Sequence, residues 1–389
     1  MTFGGRRTIA GAIVGTAIVF LVSLVSVAGV RAEAPAKAGQ AGPAQGVQMS
    51  ETLFRNVQVL KGIPADEFMD AMGMFAASLG FDCVACHSED IKSDRAAFAI
   101  ETPLIRRARQ MIVMMNGINE ANFGGRQMVT CFTCHHAQNA PESIPDLALQ
   151  YGIVTDDPNS MRIAADTRFT ADQIFDKYLQ ALGGAQRLAS LTSYTARGTY
   201  EGFNTSGNEA ALEIVAKAPN QRAEIVRTLE GTNVKTYDGG SAWASEHWRP
   251  APLMALTGGN LEGVRVDAMT SFPAGIRQGF SRWQVGSTTI DDRRVQVLQG
   301  TNAGQTPVNF YFDASGLLVR VVRWTKTLIG TVPTQMDYSD YRDVAGVKMP
   351  FKTVVTWTNG QNTMVLTGVQ PNVAIDAARF ARPAPFQNR

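Results

Sequence analysis

Two copies of one short pattern constrain this chain more than anything else in it: Cys83-Val84-Ala85-Cys86-His87 and Cys131-Phe132-Thr133-Cys134-His135. Together they take all four cysteines and two of the four histidines among 389 residues, leaving no thiol for a disulfide elsewhere. Each copy asks the fold for two thiols on one side of a turn and an imidazole directly after them. The rest has the composition of a folded chain, 45% apolar and 18% charged, and its length asks for more than one domain. A net charge of +2, from 36 basic and 34 acidic residues, gives no electrostatic footprint for nucleic acid.

Two cysteines three positions apart can add to the two vinyl groups of one haem, and the adjoining histidine then reaches the iron. Cys83, Cys86 and His87, and again Cys131, Cys134 and His135, therefore imply two covalently bound c-type haems. A four-cysteine zinc site would not need a histidine after each pair, and the 44 residues from Cys86 to Cys131 exceed its usual spacing. A thioredoxin-like motif would need an alternating strand and helix pattern that this region lacks.

The second axial ligand is ordinarily Met or His. Eight of the fifteen methionines lie from Met49 to Met128. Met72 falls on the apolar seam of a helix ahead of Cys83, while Met74, about 200° further round, faces away. Met111 lies on the matching seam ahead of Cys131. Met69, Met114 and Met115 compete with them, because a methionine on an apolar helix face also serves plain packing. His136 reads as a surface or propionate-contacting residue, with the other haem's iron as an alternative, and His247 as a core or surface residue. Arg106, Arg107 and Arg109 form either a solvated basic face or partners for haem propionates or a redox partner's acidic patch.

Arg6 and Arg7 followed by an uncharged run of 23 residues, Thr8 to Val30, read as a signal peptide or an N-terminal membrane anchor within 1–32. Both alternatives place the remainder in the periplasm or at the outer face of the inner membrane. Residues 33–48, rich in Ala, Gly, Pro and Gln, form a flexible tether. Residues 49–145 read as an α-helical dihaem cytochrome c domain. One helix is bounded by Pro64 and Gly80, with Phe68, Met72, Phe75 or Ala76, and Leu79 on one face; another begins near Pro103. From Met49 to Gln150 there are seven Phe and no Tyr or Trp, whereas all eight Tyr and five Trp follow. That break puts a linker at 146–168, around Asp156-Asp157-Pro158-Asn159-Ser160. Residues 169–389 read as an antiparallel β half-barrel (α+β) domain. It opens with a helix capped by Thr170 and Gln173, and continues in strands such as 222–230, 307–313, 317–325, 351–358 and 362–369. Turn chemistry at Asp238-Gly239-Gly240, Asp313-Ala314-Ser315-Gly316 and Asn359-Gly360 separates them.

Asn56-Val57-Gln58-Val59-Leu60, Glu67-Phe68, Met72, Ala108-Arg109, Met111, Met114 and Ile118-Asn119, set around the two cysteine motifs, resemble the cytochrome c subunit of photosynthetic reaction centres over about residues 54–138. The resemblance implies Met72 as distal ligand for the haem on Cys83 and Cys86, and Met111 for the haem on Cys131 and Cys134. That subunit carries four haems, so this chain is similar to one half of it. Leu182-Gly183-Gly184 and Tyr338-Ser339-Asp340-Tyr341-Arg342-Asp343, with Gly346-Val347 and Pro350-Phe351, look like periplasmic half-barrel proteins related to lipoprotein carriers. That likeness implies an apolar cavity closed by helices.

The reading is an exported one-electron carrier with two haem c groups, serving a photosynthetic or respiratory membrane complex as redox partner. The alternative is a periplasmic lipid- or lipoprotein-binding protein with a redox-sensing haem domain, its apolar ligand in the β-domain. No nucleophile triad or paired carboxylates point to an enzyme.

Overall fold

The computed structural model describes residues 47–141, 143–144, 157–247 and 249–386. The export segment expected at 8–30, most of the tether and residues 146–156 of the expected linker lie outside them. Among the described residues no helix is long and apolar enough to cross a membrane.

The first stretch is helical throughout. A single turn, α1 (Ser50–Leu53), precedes α2 (Ala65–Leu79). Pro64 sets up the start of α2, Asp66 and Glu67 place negative charge in its first turn, and Gly80, at φ 68°, ends it in the left-handed region. A Cβ at position 80 would also meet the Ala137 carbonyl oxygen at 2.6 Å. The first cysteine motif forms α3 (Cys83–Cys86), capped by the Asp82 carboxylate, which accepts from Ala85 N–H at 3.1 Å. Thr102 caps α4 (Pro103–Phe123), and Thr130 and Thr133 cap each other's end of α5 (Cys131–His135), the second motif. A long helix leading into a cysteine turn therefore occurs twice.

The sheet part begins with α6 (Ala171–Ala181), held by the Thr170–Gln173 capping box, and α7 (Ala185–Ser190). Six strands follow: β1 (Ser193–Gly202), β2 (Ala210–Lys217), β3 (Gln221–Arg227), β4 (Thr232–Tyr237), β5 (Ala242–Ser245) and β6 (Met254–Leu256). Helix α8 (Gly258–Ser271) leads to β7 (Arg282–Ile290), β8 (Arg293–Thr301), β9 (Val308–Phe312), β10 (Leu318–Thr327), β11 (Gly330–Val344), β12 (Val347–Trp357) and β13 (Gly360–Pro371). All pair antiparallel in the order β6-β5-β4-β3-β2-β1-β13-β12-β11-β10-β9-β8-β7. The turns are made by the expected residues. Asp238 accepts from Gly240 and Ser241 N–H at 2.8 and 2.7 Å, and Asp313 accepts from Ser315 and Leu317 N–H. Ala345 (φ 53°) and Gly346 (φ 82°) both turn left-handed between β11 and β12, the geometry a tight hairpin requires.

This sheet cannot be flat. Val226 of β3 and Leu298 of β8 share one buried cluster with Phe175 and Tyr178 of α6 and Val266 of α8. Eight ladder steps separate β3 from β8, which in a flat sheet would span about 38 Å at roughly 4.8 Å per step. The sheet therefore curls around the helices, and α8 joins its two edge strands. The described part of the interval 146–168 runs along the outer face. There Tyr311 Oη donates to the Pro158 carbonyl at 2.6 Å, Asn309 to Ser160, and Gln299 to Met161 at 2.8 Å.

The described residues belong to one compact unit. Burial corrects the face expected for α2. Past its first turn the enclosed residues are Ala71, Met74 and Ser78, whereas Phe68, Met72 and Phe75 are half-buried. The helix has two packed sides, and small residues on the first let it approach the sheet closely. Ala71 and Met74 join Ile112 and Met115 of α4 with Ile329 and Val332 of the β10–β11 hairpin in one core cluster.

Candidate functional site

The second side of α2 faces a single cavity of about 1350 Å³, larger than the roughly 300–1,000 Å³ of an ordinary small-molecule cleft. Its wall includes Cys83, Cys86, His87, Cys131, Cys134 and His135, and opposite them residues of the curled sheet such as Tyr200, Arg222, Leu318 and Met336. Met72 and Met111 both lie on this wall. Met74 does not; it packs where a Cβ on Gly330 would come 2.4 Å from its Cε. The competing Met69, Met114 and Met115 line the cavity as well, but Met115 is 4% exposed within the α2–α4 core, Met69 packs against Ala251 and Met254, and Met114 is 50% exposed.

Each motif is held by polar contacts from its neighbours. Thr102 Oγ1 donates to the Cys86 carbonyl at 2.8 Å while accepting from Ile105 N–H, tying the first motif to the start of α4. Buried Asn119 of α4 does the same for the second: its Oδ1 accepts from Met128 and Val129 N–H at 3.0 and 2.9 Å, and its Nδ2 donates to the Val129 carbonyl at 2.8 Å. His135 Nδ1 lies 3.1 Å from the Gln138 carbonyl oxygen. A carbonyl only accepts, so Nδ1 carries the proton and Nε2 keeps its lone pair. His87 stacks edge-on against Phe98 at 5.1 Å, and burial lowers its pKa against the opposing effect of the Phe98 backbone.

Among the described residues all four cysteines are free thiols. Burial raises the pKa values of Cys83 and Cys86 and pushes Cys131 up to about 11. Two thiols beside an imidazole fit covalent attachment of a haem, in which the thiols would add to its vinyl groups and the imidazole would reach its iron, and the mostly apolar cavity beside them suits its ring. His136 sits off the wall, at φ 48°, with its ring 5.5 Å from Phe132. His247 packs against Asn233 and Phe386 in the sheet part. Arg106 and Arg109 pair with Glu101, at 3.3 and 2.5 Å, while Arg107 stands on the cavity wall.

Sequence reasoning missed the polar residues that join helices to sheet. Asp66, 2% exposed, accepts from Thr257 N–H at 2.5 Å and Thr257 Oγ1 at 2.8 Å at the start of α8, and Asn260 donates to Asp70 at 2.6 Å. Arg95 donates to the carbonyls of Arg249 and His247. The sheet side of the cavity also holds a charged cluster in which Glu224 meets Arg222 at 3.0 Å and Lys235 at 3.5 Å. Period-2 alternation could have placed Arg222 and Glu224 on the inner face of β3; nothing local marked their partners.

A helical segment with two thiol–thiol–imidazole turns, packed on a curled antiparallel sheet, is the class defined by this fold and site. Residues 13–166 match the family described as photosynthetic reaction centre cytochrome C subunit, and residues 272–367 match a family of unknown function, DUF6544. A photosynthetic reaction center cytochrome c subunit from Roseobacter denitrificans is 32% identical over 110 residues, covering 26% of this chain and 29% of the relative's length. The chain thus spans less than a third of that relative. Among solved structures, a LolA superfamily protein from Nitrosomonas europaea is 11% identical with a TM-score of 0.37, covering 55% of this chain and 98% of its own. A DUF1329 family protein from Desulfovibrio piger is 10% identical with a TM-score of 0.38, covering 54% and 96%.

Proposed function

We propose that this chain is an exported electron carrier holding two haem c groups. Cys83 and Cys86 would bind one covalently, with His87 and Met72 as axial ligands; Cys131 and Cys134 would bind the other, with His135 and Met111. Haem bound in this way supplies a reversible one-electron couple at the iron, and Met/His ligation favours a comparatively high potential. The chain's own residues orient and shield: Asn119 and Thr102 fix the motifs, the Gln138 carbonyl holds the His135 proton, and the apolar wall excludes water from the ring edges. The observation that carries the reading is that both motifs, Met72 and Met111 share one cavity wall. The partial match to a reaction-centre subunit supports a membrane-bound photosynthetic or respiratory complex as redox partner. Were Met72 and Met111 to complete the ligand sets of His87 and His135, no iron would be open to a substrate, which favours a carrier over an enzyme.

A second reading, an amphiphile-binding protein with a redox-sensing segment, is favoured by the inner face of the sheet opening onto the same cavity. Visible spectra separate the two. The carrier reading expects reduced c-type bands unmoved by carbon monoxide; rapid carbon monoxide binding at either iron would favour a sensor.

A further inference from the structure

Alternation along β10 points the side chain of Arg323 inward. Val321 belongs to the cluster inside the curled sheet, while Val322 and Trp324 belong to the outer one. The guanidinium lies against α8 at Gly263, where a Cβ would stand 2.3 Å from Cζ, so a glycine on that buried helix face makes the room. Arg323 borders the cavity, yet its Nε is buried without a hydrogen-bond partner, and no ion pair forms to it among the described residues. Of the neighbouring cations on that wall, Arg222 and Lys235 share the Glu224 carboxylate and Arg249 pairs with Glu246. A buried Nε left without an acceptor is costly; Asp70 acts on this guanidinium only at longer range than an ion pair, and the planar fork is shaped for two parallel hydrogen bonds to a carboxylate. Leu318, Val264 and Met336 form the apolar wall beside it.

We propose that Arg323 anchors the carboxylate of an otherwise apolar molecule held in this cavity, either a propionate of bound haem or the head of a fatty acid. The haem alternative rests on the function proposed above; the fatty-acid alternative does not.

The test uses the full-length, haem-matured protein, with haem attachment read separately by mass. Arg323→Met is compared with Arg320→Met, which removes an arginine of the same strand already paired to Asp337 at 2.6 Å. Two quantities are measured: the midpoint potentials of the haems and the affinity for palmitate. If a propionate is the partner, Arg323→Met shifts one potential negative, because the propionate's charge, no longer offset by a cation, then favours the oxidised iron, and Arg323→Lys restores it. If a free carboxylate is the partner, potentials hold while palmitate binding weakens at least about tenfold, the equivalent of one lost charge-assisted contact. Gly263→Ala keeps the charge but displaces the guanidinium, and decides the matter should Arg323→Met fail to fold. Unchanged potentials and unchanged palmitate affinity in the folded variants overturn the proposal. Absence of haem by mass would count against the proposed function while leaving the palmitate measurement to decide this one.

Discussion

Met72 and Met74 stand two residues apart on α2 and serve opposite sides of it: Met74, 5% exposed, is pressed against Gly330, and Met72 faces the cavity. Their substitutions should therefore separate cleanly. Met74→Ala opens a hole in the joint core and should cost about 2–4 kcal/mol in urea unfolding, with the haem spectrum intact. Met72→Ala should cost less stability and abolish the weak far-red methionine–iron band of one oxidised haem. The reverse pattern would move the ligand to the other face.

Asn119 holds the loop ahead of the second cysteine motif with three hydrogen bonds to Met128 and Val129. Asn119→Ala leaves two N–H groups and a carbonyl without their partner in a half-buried site, a loss of about 2–3 kcal/mol. Hydrogen exchange should show the Met128 and Val129 amides losing protection before those of α2.

Helices and sheet are joined through Asp66, whose carboxylate receives the first backbone N–H and the hydroxyl of Thr257. Asp66→Ala should destabilise the protein by about 1–3 kcal/mol and speed exchange in the first turn of α8, with Asp66→Asn recovering part of the loss.

Glu224 gives the sheet part an acid-dependent term. Burial alone would raise its pKa, but Lys235 and Arg222 outweigh that and bring it to about 2. A carboxylate depressed from an unfolded value of about 4.3 contributes stability that is fully present above that value and is lost as pH falls towards 2. Glu224→Gln should cost about 3 kcal/mol at pH 7, because it strands two half-buried cations, and should flatten the stability profile between about pH 4.5 and 2. An unchanged acid limb in the variant would assign that limb elsewhere.

Much of this architecture was readable where a single residue carries the signal. Pro64 and Gly80 bound α2 as expected, the Thr170–Gln173 box starts α6, and hairpins turn at Asp238, Asp313 and Asn359-Gly360. Helix α8 escaped because it is enclosed on several sides: Glu262, Gly263, Val264, Val266, Ala268 and Met269 are all buried, which leaves no apolar stripe for a 3.6-residue period to reveal. The sheet-facing side of α2 escaped for a related reason, since Ala71 and Ser78 are small and carry little hydrophobic weight. The placing of Arg323 against Gly263 depends on a contact between segments far apart in sequence, and the role of Asn119 on a loop that folds back onto its own helix, neither of which periodicity encodes.

The most direct test of the central claim is the intact mass of the protein produced with a c-type cytochrome maturation system. The account predicts the addition of two haems, one haem in Cys83→Ser/Cys86→Ser, one in Cys131→Ser/Cys134→Ser, and none when all four cysteines are replaced. A wild-type chain that carries no haem, or double variants that both keep two, would contradict it.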